Sequence, residues 1–412
     1  MKSQAELLQR NLALYPWYQA AGGFLPWLPV FFLFFFQHLS LPEFLKLSAV
    51  YYVSVFVLEV PSGYFSDSFG RRITLLIASV FGIVAYLIFI FADSFLPFAI
   101  GQFALAGFFS FKSGSDNSLL YDSLQALGQQ SEYAQREANA TRFSMFALAA
   151  AAFSGGVSGL VNLVIPYVLS LLGALVTLFF VLQFTEPPRL EKAAPMFKQL
   201  GNCLVSLKHP TLLWLFAFFV FAFSLQHVPA EFNQAYIKLL QKDWFSESDT
   251  SALISGCMVA ISMLGGAWGA SISMRLLEHL GVQKLLLTGL AIMLLIVAGM
   301  AVVLHPLVLV LVLLRNFPMA FSEAPLLAAV APHINSSFRA TYLSLQSLAG
   351  RLGFALILLT LSAVVDSSSE AALMTWPQLQ KALIFCLLLA VTCFTVLLVF
   401  RSSSELNPDS DV

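Results

Sequence analysis

The segment Gly63-Tyr64-Phe65-Ser66-Asp67-Ser68-Phe69-Gly70-Arg71-Arg72 joins two apolar runs, 44–65 and 73–92. Crossing about 30 Å of hydrocarbon at 1.5 Å per helical residue takes roughly 20 apolar residues, so both runs are predicted to be transmembrane helices and the segment a tight loop. In that loop Gly63 permits close helix approach, Asp67 is expected at a helix N-terminus, and Arg71 and Arg72 anchor the turn in the cytoplasm.

Working outward, ten further runs of similar length bring the expected number of spans to twelve: 13–36, 96–120, 140–161 and 163–184, then 211–237, 251–272, 284–304, 307–330, 340–364 and 379–400. Between them, 185–210 carries Pro187, Pro188 and Pro195 with Arg189, Lys192, Lys198 and Lys208, the composition of a solvated linker. The expected organisation is an N-terminal six-helix bundle (1–184), a cytoplasmic linker (185–210), and a C-terminal six-helix bundle with a short cytoplasmic tail (211–412). The fifth and sixth spans are nearly fused around Asn162.

Composition agrees. Of 412 residues 59% are hydrophobic and only 10% charged, against roughly 25% charged in a soluble domain, and the mean hydropathy is +0.83. A net charge of -1 offers no basic field for nucleic acid. Cys203, Cys257, Cys386 and Cys393 form no CxxC pair and lack zinc spacing, so they read as small core residues, and no metal or cofactor is expected. Met1–Arg10 is polar and leads into a full-length span, so no removable signal peptide is read. When loops are assigned alternately, one side collects Lys2, Arg10, Arg71, Arg72, Arg136, Arg142, the basic linker, Arg275, Lys284, Arg339 and Arg401. The other holds Lys46, Lys238, Lys242 and Lys381. Positive charge marks the cytoplasm, which then contains both termini and the linker. The acceptor patterns at Asn139 and Asn335 fall on that side and read as chance.

With Gly63, Asp67 four residues on, Gly70 three further and then two Arg, the loop resembles the signature of the major facilitator superfamily, with Ser66 and Ser68 replacing the usual small apolar residue and the usual Arg. A degenerate copy at Glu278, Gly281 and Lys284 lies where a two-repeat fold requires one. The resemblance implies an all-α membrane protein of twelve transmembrane helices in two six-helix pseudo-repeats. It implies a bacterial inner-membrane protein and secondary transport of a small solute by alternating access. In that family the loop acid contacts the start of the eleventh helix and locks the outward-open state, so Gly63, Asp67, Gly70, Arg71 and Arg72 are implied gating residues. Glu59 and Arg351, toward the cytoplasmic ends of the second and eleventh spans, read as a gate or an interdomain ion pair. Gln102 stands where many members carry an Arg in the fourth helix, and Ser154–Gly159 lacks the Gly-Pro pair of drug–proton antiporters. The segments Glu59-Val60-Pro61 and Gly114–Leu124 look like a bacterial branch of the family.

An ionisable group at mid-bilayer costs about 2.5–3.5 kcal/mol on insertion scales, so each that persists needs a partner or a cavity. The resemblance places the first, fourth, seventh and tenth helices around a central cavity. On the fourth span Lys112 and Asp116, one turn apart and beside Asn117, are expected to share a face and neutralise each other. On the tenth, Arg315 lies near the midplane, next to Asn316 and two turns before Glu323; the seventh offers Gln226, His227 and Glu231; the first offers Tyr15, Tyr18, Gln19 and Trp27. The expected substrate-binding residues are Arg315, Lys112, Asn316, Asp116, Gln19 and Trp27, taking an anionic, zwitterionic or amphipathic solute. Glu323, Asp116 or Glu231 is expected to carry a coupling proton, in a monomer embedded in the lipid bilayer. No GxxxxGK[ST] motif supports ATP-driven pumping. Two alternatives stand: a membrane enzyme acting on lipid-linked substrates, which the scattered His38, His209, His227, His279, His305 and His333 do not favour, and a transporter-like sensor without turnover.

Overall fold

The computed structural model describes residues 3–188, 201, 205–244, 249–330, 333–334, 336–365 and 375–400. Lys2, most of the expected linker with Arg189, Lys192, Pro195, Lys198 and Cys203, Asn335, and the tail with Arg401 lie outside the described residues, as do the side chains of Lys242 and Arg339. Every described element is helical. That is the expected solution for apolar segments, because hydrocarbon offers no partner to a backbone N–H or C=O and a helix satisfies both within itself. Among the described residues ten helices are long and apolar enough to cross a membrane. The chain divides into two compact units, Met1–Leu39 with Lys46–Ala193 and Ala252–Cys257, and Ser40–Leu45 with Ala194–Ser251 and Met258–Val412.

In the first unit α1 (Gln4–Gly23) starts from a capping box in which Ser3 Oγ accepts the Glu6 N–H and Glu6 accepts the Ser3 N–H. The expected span 13–36 is interrupted after Gly23 and resumes, through a 3₁₀ turn at Leu28–Val30, as α2 (Phe31–Phe35). Pro26 and Pro29 lie in the interruption, where their missing N–H and fixed φ break the helical ladder. Helices α3 (Leu41–Phe69) and α4 (Arg71–Phe91) are separated by Gly70 alone, at φ 114° and ψ 156°, a conformation that a side chain would disfavour. The expected span 96–120 is two helices, α5 (Phe95–Lys112) and α6 (Ser115–Ala126), with Gly114 at φ 73° in the break. Then come α7 (Tyr133–Gly159), which begins before the expected residue 140, and α8 (Ile165–Gln183); Asn162 Oδ1 accepts the Val164 N–H at 2.8 Å in the turn between them. Helix α4 packs along α5 and α8, and α1 along α7 and α8. Tyr15, Tyr18, Leu119, Leu124, Ala140 and Val181 form a buried core there.

The second unit begins with α9 (Pro210–Trp244), 35 residues long and continuous through Pro229. It packs against the helices α13 (Ser336–Val364) and α14 (Trp376–Val399). Helix α10 (Ser251–Val302) runs 52 residues, broken only at Gly281 with φ 70° and ψ 163°. Residues 273–283, expected as a loop between spans, are therefore helical apart from that glycine. Gly281 repeats the role of Gly70, and both sit in the copies of the loop motif. Divided there, α10 has the length of two crossings, and α7, outside the ten apolar candidates, is 27 residues long. The expected span 307–330 is again two helices, α11 (Pro306–Leu313) and α12 (Phe317–Val330), with Arg315 in the break.

Candidate functional site

The fourth and tenth spans, which correspond in the two sequence halves, are both interrupted, the first after the 18 residues of α5 and the second after the 8 residues of α11. Interrupted helices in corresponding positions are the strongest structural pointer to a transporter's binding site, because irregular backbone survives at membrane depth only where it is buried in protein or lines a cavity. At the first break α3 makes polar contacts: Ser62 Oγ lies 2.9 Å from Ser110 O and also 2.9 Å from Glu59 O, and Ser113 Oγ donates to Glu59 Oε1 at 3.1 Å. Ser115 Oγ lies 2.9 Å from Ser66 Oγ. Glu59, expected at a gate, thus braces the break.

Lys112 ends α5 and Asp116 lies in the first turn of α6, so they do not share a helix face as expected, and they form no ion pair. The half-buried Lys112 ammonium instead lies over the Tyr18 ring, 5.4 Å from its centroid, and against Gly22, where a Cβ would come 2.7 Å from Nζ. Asp116, 7% exposed, accepts from Gln19 Nε2 at 2.9 Å and from the Asn117 N–H at 2.8 Å. Gln19 Nε2 also donates to Tyr15 Oη at 2.9 Å, so both hydrogens of that amide are spent inside the unit. Tyr15 Oη in turn lies 3.0 Å from Asn117 Oδ1 and 3.1 Å from Glu137 Oε2. The Trp27 indole N–H is committed to Tyr86 Oη at 3.1 Å. Sequence reasoning missed Glu137, because the apolar-run criterion started the fifth span at residue 140 and left this carboxylate in a loop.

In the second unit Arg315 is 8% exposed, and its Nη1 has no hydrogen-bond partner among the described residues. No described carboxylate forms an ion pair with it; Glu323, two turns on, is exposed. Asn316 Nδ2 donates to Ser262 Oγ at 3.2 Å, fixing the residue beside it. From α9, Glu231 is buried at 5% exposure, and His227 Nδ1 lies 2.7 Å from Phe223 O with its ring stacked on Phe223 at 4.1 Å. Arg315 and Arg351 both act on that ring electrostatically, which gathers two cations and an imidazole in one region of the unit. A separate groove of 530 Å³ between α9, α13 and α14, lined by Phe216, Val220, Ile357, Leu389 and Cys393, carries no charged residue. It holds none of the expected site residues. Among the described residues no group of three or more His, Cys, Asp or Glu is arranged to hold a metal ion.

The loop motif is a separate cluster. Arg71 reaches Asp67 at 2.5 Å, Asp122 at 3.2 Å and Ser66 Oγ at 3.0 Å. Asp67 lies in the last turn of α3, not at a helix N-terminus as expected. The anion at the start of α4 is Glu186, whose carboxylate accepts the Arg71 N–H at 2.8 Å and the Arg72 N–H at 2.7 Å. Arg72 also donates to Leu182 O at 3.1 Å. Among the described residues a Cβ at Gly63 would meet nothing within 4 Å.

Three solved structures share this architecture at low sequence identity. The nucleoside transporter NupG superposes with a TM-score of 0.75 at 12% identity, covering 98% of this chain and all of that one (100%). The POT family transporter PepTSo gives 0.69 at 14% identity, with 97% and 98% covered. A bacterial homolog of the human lysosomal transporter Spinster, inward-facing and occupied, gives 0.66 at 15% identity, with 97% and 99% covered. No curated protein sequence matches. The sequence itself matches the Major Facilitator Superfamily over residues 17–358, so this chain, a multi-pass membrane protein, belongs to that superfamily of transporters.

Proposed function

We propose that the protein is a proton-coupled secondary transporter that moves a small anionic or zwitterionic solute by alternating access. It would work as a monomer in a bacterial inner membrane, with both termini in the cytoplasm. The observation that carries the reading is Arg315, a buried guanidinium in a helix break with a donor nitrogen unpaired. Leaving a buried charged donor unsatisfied costs about 1–3 kcal/mol or more, and a carboxylate or phosphate on the solute would remove that cost by taking a charge-assisted hydrogen bond. Fixed pairing to a carboxylate, the bland reading of a membrane arginine, loses support because no described carboxylate forms an ion pair with it. Asn316, held by Ser262, sits beside it for a second polar contact.

The reading is tested by screening the purified protein for thermal stabilisation by small carboxylates, phosphate esters, zwitterions and their neutral analogues, since a ligand at a hundredfold its Kd adds about 2.7 kcal/mol to the native state. Anionic or zwitterionic compounds are expected to stabilise the wild type, Arg315→Ala to lose the effect, and Arg315→Lys to keep part of it. Full stabilisation and uptake in Arg315→Ala would remove the guanidinium from the mechanism. Stabilisation by neutral compounds alone would overturn the anionic assignment.

A further inference from the structure

We propose that the polar cluster of the first unit binds a single proton, with Glu137 as the group that takes it and Tyr15 as the hydroxyl that passes the change on to Asn117. The inference rests on the proton-coupled reading and names its site. The first argument is hydrogen counting. Tyr15 Oη has one hydrogen and two lone pairs. One lone pair is used by Gln19 Nε2 at 2.9 Å. The same oxygen also lies 3.0 Å from Asn117 Oδ1 and 3.1 Å from Glu137 Oε2. If Glu137 is ionised, both of those atoms are acceptors and one hydrogen must serve two. If Glu137 is protonated, its carboxyl O–H donates to Tyr15 Oη, and the Tyr15 hydrogen goes to Asn117 Oδ1. Every contact then has its own hydrogen.

The second argument is charge. The cluster holds the Lys112 ammonium and the carboxylates of Asp116 and Glu137, which act on one another electrostatically. Lys112 offsets one carboxylate and leaves one negative charge in a partly buried place, so one proton makes the cluster neutral. The cationic place is already taken by Lys112, which disfavours a metal ion there. The other charged or titratable groups near Glu137 along α7 do not change this count: Tyr133 lies one turn before it, Glu132 is paired with Arg136 at 3.0 Å, and Arg142 bonds Asn139.

The third argument assigns the proton between the two acids. Asp116 already accepts two hydrogen bonds, from Gln19 Nε2 at 2.9 Å and from the Asn117 N–H at 2.8 Å, so both of its described contacts bring a hydrogen of their own. Glu137 lies in the body of α7 with the Tyr15 hydroxyl as its one described hydrogen-bond partner. The step is then simple: a solvent hydronium ion gives up one O–H bond as the Glu137 carboxyl O–H forms, leaving water, and on release the carboxyl O–H breaks and a water molecule takes the proton as hydronium. On release the Tyr15 hydrogen turns to Glu137, and Asn117 Oδ1, on an exposed side chain, loses its donor and becomes free to accept another.

Infrared difference spectroscopy of the protein in liposomes of phosphatidylethanolamine and phosphatidylglycerol, stepped between acid and alkaline pH, reads this directly without any solute. The expected result is a protonated-carboxyl C=O band that disappears on the alkaline step, is lost in Glu137→Gln, persists in Asp116→Asn, and moves to higher frequency in Tyr15→Phe. A band that survives Glu137→Gln, one lost in Asp116→Asn, or no such band in the wild type would overturn the assignment, the last leaving Asn117 Nδ2 as the donor to Tyr15. Proton coupling itself is read separately, from whether wild-type flux of a stabilising compound follows an imposed pH gradient. Flux blind to the gradient in a protein that shows the Glu137 band removes the coupling and keeps the proton site.

Discussion

Removing the Glu186 carboxylate is expected to unfasten the start of α4 and leave the rest of the helix in place. A helix begins with N–H groups that have no partner inside it. For α4 the first two belong to Arg71 and Arg72, and both donate to Glu186, at 2.8 and 2.7 Å. A lost N-terminal cap typically costs about 1 kcal/mol, and here one side chain serves two amides. Because Glu186 is half-buried and water can replace part of what it gives, we take about 2 kcal/mol for Glu186→Ala, below the sum for two fully buried bonds to a charge. At about 1.4 kcal/mol per factor of ten, exchange of the Arg71 and Arg72 amides should speed up roughly thirtyfold. Glu186→Gln keeps one neutral carbonyl acceptor and should give a smaller rise. Residue-resolved hydrogen exchange in lipid nanodiscs measures this, with a built-in control: the Gly70 N–H donates to Ser66 O at 3.1 Å and does not touch Glu186. Unchanged protection at Arg71 and Arg72 in Glu186→Ala would refute the capping argument, and equal loss at Gly70 would show general unfolding in its place.

Two further outcomes follow from single contacts. Tyr236 is fully buried, donates to Val303 O at 2.5 Å and accepts the His305 N–H at 2.9 Å, joining the end of α10 to the start of α11. Tyr236→Phe should cost about 1–3 kcal/mol by stranding those groups, seen as a lower melting temperature of the purified protein; an unchanged melt would mean that water replaces the hydroxyl. Gly281→Ala forces a side chain onto positive φ with extended ψ at a cost of about 1–3 kcal/mol, whereas Gly63→Ala adds a Cβ to a helix with open space around it among the described residues. The first should melt lower and the second should not, and equal behaviour of the two in the same assay would contradict the assigned role of Gly281.

The spans were legible because their signal is length and apolarity, which local side-chain chemistry does not disturb. The copy of the loop motif was legible too, and Gly70 and Gly281 take up the same unusual backbone conformation. What the apolar-run reading could not see was the interior of the runs. Ser113-Gly114-Ser115 and Arg315-Asn316-Phe317-Pro318 carry the breaker signals, Gly114 at positive φ and a proline that disfavours helix in the residue before it, yet hydropathy averages across both. That is why Lys112 and Asp116 were placed on one continuous face. Glu137 was hidden by the opposite error, since it lies just before an expected apolar boundary and was taken for loop, whereas Glu186 does lie in the loop after α8 and only the fold brings it to the start of α4. Asp67 looked like a cap because a helix start follows four residues later, but the chain stays helical through Phe69 and the cap comes from Glu186, more than a hundred residues away.

The two breaks also explain how a cation can persist in each without a dedicated counterion. Lys112 is the last residue of α5, and Arg315 lies two residues beyond the end of α11, so each sits at the C-terminal end of a half-helix, where unsatisfied carbonyls make the dipole negative. Such an end favours a cation by about 0.3–1 kcal/mol when exposed and up to about 2 when partly buried, which offsets part of the cost of keeping the charge from water. From that shared beginning the sites diverge. Lys112 gains Asp116 and Glu137 as electrostatic neighbours, and the remaining negative charge there suits a proton. Arg315 gains no paired carboxylate and keeps an unpaired donor, which suits an anion. On this reading the cation at each half-helix end is put to a different use, and the acids around Lys112 separate a proton site from a solute site.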